Sequence, residues 1–122
     1  MARIEGELAK AKGHIEFCVL LYRHQLRNGR HFLHEHPWSA KSWQLPCVRE
    51  LMDESRVHVV ETHMCRFNMT SHIDREARER RLVKKPTGFI TTSRCIAAQL
   101  DARCEGNRPH AHLVGGGAAG AQ

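Results

Sequence analysis

The sequence predicts an α/β domain of about three strands with flanking helices. Three observations carry that prediction. Apolar residues recur at helical spacing along residues 2–27, short β-branched or aromatic segments recur further on, and a helix-length stretch separates the first two of them. With 122 residues, 41% hydrophobic and 26% charged, the chain has the length and composition of one globular domain with a small core.

Ile4, Leu8, Ala11, Ile15, Cys18, Tyr22 and Leu26 fall on one face of a 3.6-residue period, and Asn28-Gly29 supplies a stop that tolerates the left-handed conformation. The spacing predicts a helix over 2–27. His31 to Glu35 reads as a short strand, stopped by Pro37, which has no N–H to donate to a ladder. Trp38 and Trp43 then flank a small polar loop. Pro46 suits the first turn of a helix over 46–55 whose apolar face is Val48, Leu51 and Met52.

Val57-His58-Val59-Val60-Glu61 is β-branched and predicts a second strand at 57–62. Because a helix-length connection separates it from the first, the expectation is a right-handed βαβ unit with the two strands paired parallel. The segment 70–85 reads as a charged, solvated insertion, with Asp74, Glu76 and Glu79 among Arg75, Arg78, Arg80, Arg81, Lys84 and Lys85. A third strand is expected at 88–92, and Ser93 is placed to cap a helix whose buried stripe is Ile96, Leu100 and Cys104. Residues 115–122 are almost all Gly and Ala, too small to pack, and read as a disordered tail on a domain of residues 1–114.

No apolar run approaches the roughly 20 residues that span a bilayer, and Glu5, Glu7 and Glu16 interrupt what would be the core of a signal peptide. The expectation is no membrane and an intracellular location. Five cysteines at irregular spacing agree with reduced thiols. The net charge of +6 and pI near 9.4 favour a polyanionic partner such as DNA or RNA, because clustered cations release counterions from phosphates. There is no internal repeat, phosphate-binding glycine loop or nucleophile elbow.

Three groups of residues could carry chemistry. Glu35, within His34-Glu35-His36-Pro37, stands near a strand end, where an open α/β sheet projects side chains into a ligand crevice; a surface turn is the plainer alternative. Cys65, Cys104, His110 and His112 are two thiols and two imidazoles, the donor types zinc prefers, although their spacing is looser than a zinc knuckle; buried thiols with solvated histidines are the alternative. Arg75, Arg78, Arg81, Lys84 and Lys85 could contact phosphates, or could form a salt-bridged face in water through pairs such as Arg75 and Glu79.

The blocks "HIEFCVLLYRHQLRNGRHFLHEHPWSAKSWQLPCVRELM", "HMCRFNM", "VKKPTGFITTS" and "RCEGNRPHAHLVGGG", taken in order, resemble a domain of copia-like retroelement polyproteins of algae and other protists. That domain in turn resembles the later half of DNA cytosine (carbon-5) methyltransferases. The resemblance implies a partial Rossmann-like, three-layer α/β fold, with Glu35 in the position of a carboxylate that holds a flipped base. It further implies that S-adenosylmethionine would bind only if a preceding half, bearing the cofactor loop and a Pro-Cys nucleophile, were present. Asn68 stands where the resemblance leads one to expect Gly, and Gly115-Gly116-Gly117-Ala118 where it leads one to expect Gly-Gly-Arg-Ala. Two functions are therefore expected: a truncated, retroelement-derived methyltransferase-like domain without independent catalysis, or a zinc-stabilised nucleic-acid-binding module.

Overall fold

Helix α1 (Ala2–Arg27) ends as its sequence dictates. Gly29 adopts φ +67, and the two hydrogen bonds that close the helix run from Gly29 N–H to Leu26 and from Arg30 N–H to Gln25. The structure, a computed structural model, describes residues 2–70, 82–106 and 110. The basic residues Arg75, Arg78 and Arg81, the ligand candidate His112 and the tail from 115 all lie outside them.

Strands β1 (Leu33–Pro37), β2 (His58–His63) and β3 (Pro86–Thr91) form one sheet in the order β1-β3-β2, with β3 antiparallel to both neighbours. The fold is thus a mixed helix and strand domain around a small antiparallel sheet. β1 and β2 run in the same direction, joined through helix α2 (Pro46–Met52), but they do not pair. The expected parallel pairing of the first two strands is overturned: β3 is inserted between them, a split βαβ arrangement. The physical reason is burial. β3 is buried from Thr87 to Thr91, which suits a central strand, whereas Leu33, Glu35 and Val59 of the outer strands are exposed.

Alternation along the strands sorts side chains to two faces. Gly88 and Ile90 face α1 and α2, where Ile90 packs with Val19, Leu26, Phe32, Val48 and Leu51. Thr87, Phe89 and Thr91 face the other way, and helix α3 (Arg94–Leu100) packs on β2 and β3. There the Thr62 hydroxyl donates to the Leu100 carbonyl at 2.5 Å, tying the end of α3 to β2.

Several expected boundaries shift. The strands expected at 31–35, 57–62 and 88–92 lie one or two residues away, and α2 stops at Met52 rather than 55. Two 3₁₀ turns, Lys41–Gln44 and Met64–Phe67, were not expected. The last helix is capped as expected, Ser93 Oγ accepting from Ile96 N–H at 3.2 Å, but it ends at Leu100. Cys104 therefore lies beyond the helix rather than on its stripe, Ile96 is 39% exposed, and the buried residue is Ala97. The expected stripe on α1 is half-buried from Ile15 to Tyr22 and buried at Leu26, with Ile4 and Leu8 exposed.

Candidate metal centre

β2 leads straight into the turn Met64–Phe67, which buries Cys65 at 2% exposure. The turn closes because Asn68 adopts the left-handed conformation (φ 61) and donates its backbone N–H to Cys65 O at 3.1 Å. Asparagine is one of the few residues with a side chain that visits this region readily, so the departure from glycine leaves the turn intact. The next stretch is held on both sides: Met64 N–H donates to Lys84 O at 2.6 Å and Val83 N–H to Met69 O at 2.8 Å. Leu82 bridges Thr70 on one side and His110 on the other, which brings His110 to the same end of the sheet.

Cys104 arrives from the opposite direction. After α3 the chain runs along β2, with His63 N–H donating to Ala102 O at 2.8 Å. The His63 ring then fixes Cys104 itself: its Nδ1 accepts the Cys104 backbone N–H at 2.7 Å, while its Nε2–H donates to the Glu61 carboxylate at 2.7 Å. This pattern specifies the neutral tautomer protonated on Nε2. Gly106, at φ +71, turns the chain so that its N–H donates to Cys104 Sγ at 3.3 Å, a bond that stabilises negative charge on sulfur. An ion pair between Arg66 and Glu105 joins the two segments from outside.

The result is a cluster in which Cys65 Sγ, Cys104 Sγ and a ring nitrogen of His110 lie within 4.8 Å of one another. Cys104 Sγ and His110 Nε2 are 3.5 Å apart. A tetrahedral zinc with bonds of about 2.3 Å to sulfur and about 2.0 Å to nitrogen places such a pair about 3.5 Å apart, and two sulfurs about 3.8 Å apart. The cluster thus has the donor chemistry of three corners of a zinc tetrahedron, and its Cys104–His110 edge has the length that such a tetrahedron requires. Of the four residues the sequence singles out, three converge. The fourth, His112, lies outside the described residues.

Sequence reasoning did not find Glu61, His63 or Gly106, which surround Cys104. Their available signal was the two-residue spacing of Glu61 and His63, which puts both on one face of a strand leading into a cysteine turn.

The other candidates fall elsewhere. Glu35 is exposed in the middle of β1, opposite Phe89, while His34 and His36 project from the other face against Trp43. His34 Nδ1 shares a hydrogen bond of 2.9 Å with the Tyr22 hydroxyl. Burial, and secondarily His36, holds the His34 pKa below its ordinary value; burial, and secondarily Cys18, raises that of Tyr22, which keeps the phenol a donor. A histidine whose pKa is lowered by folding binds its proton more readily in the unfolded chain, so its contribution is present above about pH 6.5 and is lost as pH falls toward the lowered value. Melting curves between neutral pH and pH 5 are expected to show a smaller acid-induced loss in His34→Gln than in the parent; equal losses would remove His34 as the cause. Lys84 is exposed, and Lys85 is half-buried at φ 36.

Comparison with protein families, curated proteins and solved structures returned no match. Among the described residues, no helix is long and apolar enough to cross a membrane.

Proposed function

We propose that the chain is a zinc-stapled nucleic-acid-binding module. The observation that carries this reading is the convergence of two thiol sulfurs and an imidazole nitrogen, brought together from the turn after β2 and from the chain after α3. A zinc ion at that point clamps the segment following α3 to the turn after β2. The module so held presents a basic surface, in keeping with a net charge of +6. Protein purified without a polyhistidine tag is expected to contain about one equivalent of zinc, and Cys104→Ser to contain far less; a content below about a tenth of an equivalent removes the reading. Because the thiols must lose their protons to bind, zinc is expected to leave as the pH falls.

A second reading, the methyltransferase-like domain, draws on β1 and β2 running in one direction through α2 and on Glu35 exposed along β1. The finer Rossmann-like kinship belongs to this reading alone. This reading expects no independent catalysis, so heat of binding to S-adenosylmethionine in calorimetry, with methyl transfer to DNA, would overturn its catalytic incompleteness.

A further inference from the structure

At the opposite end of β2 from the metal cluster, the turn after α1, the turn after α2 and the end of β3 surround an open hollow of about 400 Å³. Arg30, Arg56 and Arg94 line it together with His31, His58 and Thr92, and among the described residues no Asp or Glu does. None of the three guanidiniums has a carboxylate within ion-pair distance among the described residues. We propose that this hollow binds the phosphates of a nucleic-acid strand, and this proposal rests on the module reading above.

Three features favour an anion there. First, charge of one sign converges from three elements distant in sequence without internal neutralisation, and such an arrangement costs self-repulsion that a bound anion relieves. Second, local helix energetics do not account for it. Arg94 opens α3, where the helix dipole disfavours a cation, and Arg56 lies in a turn outside any helix. Third, polar side chains fixed by hydrogen bonds complete the rim. Thr92 Oγ1 accepts the Phe32 backbone N–H at 3.3 Å and shares a hydrogen bond of 3.0 Å with His31 Nδ1, which holds both side chains at the hollow.

Carbonyls at the end of α1 would oppose an anion if they were bare, but three of them are occupied. His24 O accepts from Asn28 N–H, Gln25 O from Arg30 N–H and Leu26 O from Gly29 N–H. The hollow is open rather than enclosed, which suits a strand passing over it. Guanidinium forks match phosphate oxygens two at a time, a recognition lysines do not provide.

The test uses the full chain with zinc present and a fluorescein-labelled oligonucleotide, single-stranded and as its duplex, read by anisotropy over a salt series. The variant Arg30→Gln/Arg56→Gln/Arg94→Gln is compared with Arg3→Gln/Lys10→Gln/Lys12→Gln, which removes the same charge from the exposed start of α1. All six side chains are on the surface, and circular dichroism checks that both variants fold. The hollow variant is expected to bind at least about tenfold more weakly and to lose roughly 2 to 3 from the log–log salt slope, since each phosphate contact contributes about 0.9 in duplex DNA. The control is expected to change little. Equal weakening in the two variants, or none in the first while the parent chain binds, overturns the hollow and leaves the module reading standing. A parent chain that binds neither form of the oligonucleotide overturns both.

Discussion

Stripping zinc from the purified chain with a chelator is expected to lower its melting midpoint by roughly 15 °C. An ion that binds only the folded state stabilises it by about 4 kcal/mol when its free concentration is a thousand times its dissociation constant, and each kcal/mol moves the midpoint of a domain this size by about 4 °C or more. The effect is large because of what the ion holds. Beyond Leu100 the chain has no helix or strand of its own up to Gly106, and its hold on the sheet runs through His63, the Arg66–Glu105 pair and the cluster. Cys65→Ser is expected to melt near the chelated value and to be insensitive to further chelator. A chelator that removes zinc completely and leaves the midpoint unmoved would make the ion a passenger. Since Cys65 is buried and its variant could suffer from packing alone, Cys104→Ser, at a half-buried position, serves as the second probe.

Gly88→Ala is expected to cost about 3 kcal/mol, even though alanine ordinarily stabilises by restricting the unfolded chain. The Trp43 indole lies across the sheet at Gly88, so an added Cβ would stand 2.3 Å from Trp43 Cζ2, 2.7 Å from Cη2 and 3.0 Å from Trp38 Cε3. The ring cannot swing away freely. Its Nε1–H donates to Pro37 O at 2.8 Å, and its faces and edges meet His34, His36 and Trp38. Gly88 itself is fixed by pairing with His36 on one side and Glu61 on the other. Relief therefore requires either breaking the indole hydrogen bond or bending the central strand. Urea unfolding followed by tryptophan fluorescence measures the loss, and a change under about 0.5 kcal/mol would show that the indole repacks at little cost.

Local structure was legible in the sequence where a short-range rule decides it. The Asn28-Gly29 stop, Pro46 at the first turn of α2 and Ser93 before α3 each act through neighbouring residues, and each is where the pattern puts it. Strand partners were not legible. The helical connection between the first two strands specifies that they can run in one direction, but the choice between direct pairing and an inserted third strand is made by the burial of Thr87 to Thr91, which only the assembled sheet reveals. The same division holds at the metal cluster. Donor chemistry picked out Cys65, Cys104 and His110, whereas His63 looks like any other of ten histidines until Cys104 is folded against it. The arginines of the hollow come from two turns and the start of α3, which no sequence window spans together.

The inserted central strand also dictates an order of events. β1 and β2 have no partner until β3 arrives, and β3 is encoded last: Leu33 must wait for Thr91, and even the nearer end of the sheet needs His63 to find Pro86. Every ladder in the sheet therefore closes a long loop before it returns any hydrogen bonds, the situation that slows folding. On the ribosome, no pairing in the sheet can begin before Pro86 has cleared the exit tunnel, and none is complete before Thr91 has. The rate-limiting barrier is accordingly expected to lie at the docking of β3, so substitutions there slow folding while those confined to α1 chiefly speed unfolding.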